Sequence, residues 1–251
     1  MQQPARKTRK QKAQEGTGRV IKEKFLQDRE DAVKAKPLVP LNDKQREYIE
    51  LIEDKPVVIA TGWAGTSKSY IPAVMAADLY KLGQIDRIML TRPAISNSQS
   101  LGFFKGSETE KLTVWLGAVL PIFKERLGNA MFELAVSTGD ITFVPMEVVK
   151  GLSLHRTFFI CEEASDLTKD EVIKLCTRMG KESTLVLAGD IIQSELKEES
   201  GLVWLTSFLD RHPHLKKNFG WVDFDSVDHI VRSQAVKDFI IALSRDGKKS
   251  I

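Results

Sequence analysis

Cysteine, histidine and long apolar runs are scarce in this 251-residue sequence, and each scarcity excludes a class of protein. The two cysteines, Cys161 and Cys176, have no metal-binding spacing, and the four histidines form no zinc pattern. We therefore expect reduced thiols inside a core. No apolar run approaches the roughly 20 residues that a membrane-spanning helix needs, and the N-terminus has no apolar secretory segment. These absences predict a cytoplasmic protein without a membrane partner.

The N-terminal segment is poor in apolar residues and rich in positive charge. Residues 1–36 contain eleven Lys or Arg against five Asp or Glu, whereas the whole chain has a net charge of only +3. This composition predicts a basic, largely disordered arm over residues 1–38. The arm is either a solvated tail or a contact for nucleic-acid phosphates, and charge alone leaves both open.

From residue 39 to residue 251, short apolar runs alternate with helical patterns, which predicts one folded domain. The predicted strands are Val57–Thr61, Arg87–Thr91, Ile141–Pro145, Thr157–Glu162, Thr184–Gly189 and Trp221–Phe224. The predicted helices are Ser69–Leu82, one near Glu108–Leu127, Lys169–Met179, Leu202–Leu209 and Val227–Leu243. Such alternation is typical of an α/β fold with a mostly parallel sheet between two helical layers.

The stretch VVIATGWAGTSKSYIPAVMAADLY, residues 57–80, combines a strand, a glycine turn and a helix start. It is close to the phosphate-binding pattern G-x-x-x-x-G-K-[ST], with Ser67 where the pattern has glycine. Bare backbone N–H groups and the positive helix end would bind phosphate, Lys68 would reach the β- and γ-phosphates, and Ser69 would bind Mg²⁺. The expected ATP-binding residues are Gly62, Trp63, Ala64, Gly65, Thr66, Ser67, Lys68 and Ser69.

Two loop positions carry separate expectations. A serine at position 67 still offers its N–H, so we expect binding to survive, provided that the backbone there does not need a positive φ. Trp63 is either a lid on neighbouring side chains or a surface aromatic residue.

Carboxylates follow two other predicted strands. The segment RTFFICEEASD places Glu162 and Glu163 at the carboxyl end of an apolar strand, the edge where open α/β sheets bind ligands. Glu162 would take the metal side, and Glu163 would act as the base toward water. The strand within STLVLAGDIIQ ends in Gly189-Asp190, and Gln193 follows three residues later, a spacing that can carry an amide to the γ-phosphate.

At these residues the sequence resembles the PhoH family, phosphate-starvation-inducible ATPases related to superfamily-one helicases and common in phages. The matching segments are GWAGTSKS, IMLTRPAISNSQSLGFFKG, FFICEEASD, LAGDIIQSEL, SGLVWL and VDHIVRSQAV. The resemblance implies a P-loop NTPase core of the RecA or helicase type, ATP and Mg²⁺ as cofactors, and the host cytoplasm if a phage encodes the chain. Ser67, Glu162 and Ser165 depart from the family pattern, where glycine, aspartate and glutamine stand.

The resemblance also implies roles for residues outside the loop. Gln45 would read adenine through its amide, although a solvent-facing glutamine on a short helix is an equal alternative. Arg92 would lie near a bound polymer strand or bond loop carbonyls. Arg232, with Arg178 as the runner-up, would be donated to the site of a neighbouring subunit in a ring-shaped hexamer.

Three functions are consistent with these features. The first is a Mg²⁺-dependent ATPase with a helicase-like core that acts on, or is stimulated by, single-stranded nucleic acid, with RNA favoured by the resemblance. The second is a non-hydrolysing, nucleotide-dependent nucleic-acid-binding module. The third is a small-molecule kinase, against which the acid pair and the Asp190 to Gln193 segment argue.

Overall fold

The computed structural model describes residues 36–93 and 117–247, and the structural statements below concern these residues. Six parallel strands form one sheet in the order β3-β2-β4-β5-β1-β6. All six predicted strands are present, which confirms the predicted α/β class. Their bounds are β1 Val57–Gly62, β2 Arg87–Thr91, β3 Ile141–Phe143, β4 Thr157–Cys161, β5 Thr184–Ala188 and β6 Phe219–Phe224.

The sheet lies between two layers of helices. We number the α-helices of the described ranges α1 Asp43–Asp54, α2 Tyr70–Lys81, α3 Leu120–Leu127, α4 Asn129–Thr138, α5 Met146–Val149, α6 Lys169–Cys176, α7 Gly201–Arg211 and α8 Gln234–Gly247. Helices α1 to α4 pack on one face of the sheet, and α5 to α7 pack on the other. Strand β4 is buried at every position because helices cover both of its faces.

The strand order brings three loops together at the carboxyl edge of the sheet. Strand β1 pairs with β5, and β5 pairs with β4, so the loops after these strands are neighbours. Open α/β sheets bind ligands at such an edge. The phosphate-loop candidate, the acid pair and the Gln193 segment therefore meet, although they are far apart in the sequence.

The last predicted helix, Val227–Leu243, is interrupted in the structure. Ser226 caps a short 3₁₀ turn at Val227–His229, and helix α8 begins only at Gln234. The N–H of Val231 donates to the carbonyl oxygen of Gly65 at 3.0 Å, so the intervening segment follows the phosphate loop. The sequence pattern also missed α4 and α5, and residues 108–116 of the helix predicted before α4 lie outside the described residues.

Candidate functional site

The loop after β1 needs its two glycines for space as well as for conformation. Gly62 has a φ of +107°, and a Cβ there would lie 2.4 Å from the carbonyl oxygen of Phe224. Gly65 has a φ of +78°, and a Cβ there would lie 2.7 Å from Cγ of Arg232. A side chain at Gly62 would displace the backbone of Phe224, and a side chain at Gly65 would displace the side chain of Arg232.

Ser67 does not meet the condition under which we expected serine to be tolerated. Its φ is +74°, in the left-handed region where a residue with a Cβ is disfavoured by about 1–2 kcal/mol. Glycine would adopt this conformation without that penalty. The departure from the loop pattern therefore carries a conformational cost.

The backbone of the loop presents a set of open donors. Within the described residues, no hydrogen-bond acceptor contacts the backbone N–H groups of residues 64–69. Successive N–H groups around turns with alternating φ form concave anion sites, and helix α2 begins directly after them. The loop therefore has the donors that a chain of phosphates would satisfy.

Lys68 folds over this loop. Its ammonium donates hydrogen bonds to the carbonyl oxygens of Gly62 at 2.7 Å and Trp63 at 2.6 Å. Burial lowers the pKa of Lys68 to about 8, although the carboxylates of Asp190, Glu163 and Asp223 oppose that shift. The lysine is thus a partly desolvated cation surrounded by three acids, a setting typical of functional sites.

Ser69 and Glu162 form the candidate metal side. Burial raises the pKa of Glu162, whereas its hydrogen bond with Ser69 and the charge of Arg92 lower it. The Oε1 atom of Glu162 is buried and has no hydrogen-bond partner among the described residues. A carboxylate oxygen left open beside a serine hydroxyl fits Mg²⁺, which binds few protein ligands and completes its shell with phosphate oxygens and water.

Other metal centres are not apparent in the described ranges, where no three His, Cys, Asp or Glu side chains cluster as ligands. Ser69 and Glu162 are the residues that would hold Mg²⁺, with nucleotide oxygens and water completing its shell.

Glu163 differs from its neighbour in both exposure and conformation. Its φ is +51°, and its side chain is exposed and lines the open cleft, whereas Glu162 is turned toward Ser69. Adjacent acids in unlike environments can take unlike roles. The half-buried acid is therefore the candidate metal ligand, and the exposed acid is the candidate for orienting water.

A cleft with a volume of about 380 Å³ joins the three loops. Lys68, Glu163 and Asp190 contribute to its wall, together with Gln193 and Arg232. Tyr70, Ala118 and Ile122 also line the cleft. The lining thus combines charged residues of the three loops with one aromatic and two aliphatic residues.

Gln45 fits neither of its two expected environments. It is only 2% exposed, so it does not face solvent. Its Oε1 accepts from the N–H of Leu41 at 2.9 Å, and its Nε2 donates to the carbonyl oxygen of Thr66 at 3.4 Å and to Oγ of Ser67 at 3.3 Å. Both ends of the amide are thus engaged by the protein, and adenine would have to displace these bonds.

Arg232 lies at the phosphate loop of its own chain. Its side chain packs against Gly65 and lines the same cleft as Lys68. This position favours a role for Arg232 within its own chain over the expected donation to the site of a neighbouring subunit. The runner-up, Arg178, follows α6 and donates to the carbonyl oxygen of Lys150 at 3.1 Å, so it contributes nothing to this cleft.

Trp63 is pinned beside the loop. Its Nε1 donates to the carbonyl oxygen of Asp225 at 3.1 Å, and the residue is half-buried.

The two cysteines are core residues. Cys161 is buried and Cys176 is half-buried, and burial raises the pKa of both thiols, as expected for unreactive cysteines.

Two residues of the site, Asp223 and Tyr70, were not singled out from the sequence, and Asp190 was named only as the start of the segment that carries Gln193. Asp190 is the first of the carboxylates that raise the pKa of Lys68. Asp223 accepts from Oγ1 of Thr61 at 2.7 Å, which follows from the pairing of β1 with β6 and has no sequence signal. Tyr70, 45% exposed on the cleft wall, directly follows the loop motif.

Comparison with known proteins agrees with this geometry. The family model of the PhoH-like protein matches residues 37–244, most of the chain. The chain belongs to the PhoH-like family. Its similarity to Protein PhoH of Escherichia coli K12 is 30% identity over 168 residues, covering 66% of this chain and 48% of that protein.

Other PhoH-like proteins show the same degree of similarity. The PhoH-like protein of Bacillus subtilis is 33% identical over 160 residues, covering 63% of this chain and 50% of that protein. The PhoH-like protein of Mycobacterium tuberculosis H37Rv is 28% identical over 214 residues, covering 84% and 59%. The chain spans about half the length of the curated relatives it matches.

A solved structure, the large terminase from a thermophilic bacteriophage, is similar with a TM-score of 0.42 and 12% identity, covering 80% of this chain and 50% of that one. The assignment of this PhoH-like chain to a nucleotide-binding, ATPase-type fold depends on its family and on its own loop and sheet. None of the described helices is long and apolar enough to cross a membrane.

Proposed function

We propose that the chain is a Mg²⁺-dependent ATPase whose activity is exerted on, or stimulated by, single-stranded nucleic acid. The observation that carries the nucleotide part is the row of open N–H groups at residues 64–69, with Lys68 above them and an acid pair beside them. A triphosphate is the ligand that satisfies donors, ammonium and metal side together.

The residues of the cleft divide the work of hydrolysis. The loop N–H groups and Lys68 hold the phosphates, and Glu163 orients the attacking water from the open side of the cleft. Gln193 and Arg232 line the same cleft from the other loops, from which they would contact the γ-phosphate. When bound by Ser69 and Glu162, Mg²⁺ would neutralise charge on the β- and γ-phosphates.

The nucleoside is proposed to lie against Tyr70 and Ile122. Tyr70 is exposed and lines the cleft together with Ile122, and an aromatic ring and an aliphatic side chain suit the face of a base. Because the amide of Gln45 is engaged on the loop, this wall supplies stacking rather than reading of the base edge. Modest discrimination between ATP and GTP follows.

The nucleic-acid part rests on charge and family. The basic composition of residues 1–36 is a sequence-independent contact for phosphates, and the PhoH resemblance favours RNA. A homo-oligomeric ring, expected as a hexamer, is proposed from the resemblance alone, because Arg232 lies in the cleft of its own chain.

Phosphate release measured with and without single-stranded RNA and DNA tests the proposal. We expect Mg²⁺-dependent release from ATP that rises with single-stranded RNA and is lost in Glu163→Gln. ATP binding without release, and with nucleic-acid affinity that changes with nucleotide, would instead support the non-hydrolysing module. That alternative is favoured by one observation, the left-handed serine in the loop.

A further inference from the structure

Ser67 is the one loop residue whose conformation works against its side chain. Its φ of +74° places a Cβ in the left-handed region, and non-glycine residues remain there only when their surroundings hold them. The carbonyl oxygen of Ser67 accepts the N–H of Ile71 at 3.1 Å, the first turn of α2, so the strained position is also the start of that helix. Contacts from outside the loop must therefore stabilise the left-handed conformation of Ser67.

Helix α1 supplies that support from behind the loop. The Gln45 amide nitrogen donates toward the Thr66 carbonyl oxygen at 3.4 Å and toward Oγ of Ser67 at 3.3 Å. The amide oxygen accepts the N–H of Leu41 at 2.9 Å. The side chain is buried with partners at both ends of its amide, and these partners define the orientation of the amide.

These contacts also aim the donors of the loop. In a trans peptide the C=O and N–H groups point in opposite directions. The Thr66 carbonyl faces α1, so the N–H of Ser67 faces away from α1. Tyr48 repeats the arrangement two residues later, because its hydroxyl donates to the Lys68 carbonyl oxygen at 2.9 Å and turns the N–H of Ser69 the same way.

We propose that Gln45 is a positioning residue for the phosphate loop, which compensates the loss of glycine at position 67 by holding Ser67 in the left-handed conformation. Its bond to Oγ fixes the serine side chain, and its bond to the Thr66 carbonyl fixes the peptide whose N–H meets the phosphates. The proposal rests on the proposed function, since it assigns the loop to phosphate. According to this proposal, the loop needs Gln45 because position 67 is a serine and not a glycine.

A double-mutant cycle tests that dependence. Gln45→Met keeps the length of the side chain and removes both donors, and Ser67→Gly removes the conformational penalty. We expect Gln45→Met to weaken MgATP binding about tenfold in the parent chain, and by about twofold or less in the Ser67→Gly background. An equal loss of affinity in the two backgrounds would overturn the proposal.

Tyr48→Phe is the matched control, because it removes a hydrogen bond from the same helix to the same loop, at 2.9 Å, that does not involve Ser67. Its effect on MgATP binding should be the same with and without Ser67→Gly.

A second comparison can be made even if the Gln45→Met variant does not fold. Ser67→Ala keeps the Cβ and loses the contact to Gln45, so it should bind MgATP more weakly than the parent, whereas Ser67→Gly should bind at least as tightly. Equal or tighter binding by Ser67→Ala than by Ser67→Gly would contradict the proposal.

Urea unfolding of the nucleotide-free protein separates this proposal from the proposed function. If the parent binds neither MgATP nor tripolyphosphate, the proposed function fails, and the unfolding cycle alone decides the role of Gln45. Gln45→Met should then lower the urea midpoint more in the parent than in the Ser67→Gly background. Equal shifts of the midpoint would show that Gln45 supports the fold and not Ser67.

Discussion

The ammonium of Lys68 donates a hydrogen bond to the carbonyl oxygen of Gly62, at 2.7 Å, across the mouth of the loop that it would serve. The contact holds a cation of lowered pKa directly over open N–H groups. Phosphates that enter the loop therefore exchange a carbonyl partner of Lys68 for a much stronger anionic one.

Nucleotide binding should depend on pH through Lys68. Its pKa is about 8 in the free protein, and a bound phosphate raises that pKa, so above pH 8 binding must take up a proton. We expect the Kd for MgATP to be nearly constant below that pH and to rise toward about tenfold per pH unit above it.

Calorimetric titrations in Tris and in HEPES, whose ionisation enthalpies differ, measure the proton uptake directly. Lys68→Arg keeps its charge over the same pH range and should abolish the rise in Kd. A Kd and a proton count that stay flat to about pH 9 would show that Lys68 is not the titrating group.

Changing Glu162 or Glu163 to glutamine should affect two different quantities, the Mg²⁺ requirement and the turnover rate. Glu163→Gln removes the water-orienting charge from the open cleft, so turnover should fall about 100-fold or more with little change in MgATP affinity. Glu162→Gln removes the charge beside Ser69, so it should raise the Mg²⁺ concentration needed for binding. Single-turnover rates and Mg²⁺ titrations measure the two effects.

The exposed Glu147, on α5, provides the matched control for that pair. Glu147→Gln should leave both the rate and the Mg²⁺ requirement unchanged. The reverse pattern for the acid pair, with Glu162→Gln alone stopping turnover at full affinity, would exchange the two roles.

Tyr70 should contribute to the binding of the base and not to the binding of the phosphates. Stacking on an aromatic ring is worth about 1–3 kcal/mol per base, so Tyr70→Ala should weaken ATP binding about tenfold. Tripolyphosphate, which has no base, should bind Tyr70→Ala and the parent equally. Tyr70→Phe keeps the ring and should bind ATP as the parent does. Equal losses for ATP and tripolyphosphate would mean that Tyr70 only shapes the loop.

Arg232 should act within its own chain. We therefore expect no recovery when inactive Arg232→Ala and Glu163→Gln subunits are mixed and allowed to exchange, because each subunit lacks one residue of its own cleft. Donation between subunits would instead restore up to about a quarter of the sites under random assembly. ATPase activity of the mixture, with exchange followed by labelled subunits, distinguishes these results.

The strand positions could be predicted because buried parallel strands are continuous apolar runs, as in TFFIC of β4. The break in the last helix could not, because Val227 to Leu243 has helical periodicity throughout. Only the tertiary bond from Val231 to Gly65 shows that residues 230–233 belong to the loop. That bond also explains why Arg232 lies in its own cleft.

The site was predicted where a motif placed chemistry at a strand end, as for Lys68 and the acid pair. The environment of Gln45 was not predictable, because its amide is satisfied by Thr66 and Ser67, 21 and 22 residues away. The positive φ of Ser67 accompanies a contact from Gln45 on α1, which is distant in the sequence. The sequence shows that position 67 is not glycine, but it does not show which contacts stabilise the positive φ of the serine.

The central claim is that the loop of residues 62–69 binds the phosphates of ATP. The calorimetric Kd of MgATP for the parent chain and for Lys68→Ala tests it most directly, with the surface variant Lys44→Ala as a control of equal charge change. We expect binding to the parent and to Lys44→Ala, and a loss of about tenfold or more in Lys68→Ala with an unchanged urea midpoint. Equal affinity of the parent and Lys68→Ala would contradict the account.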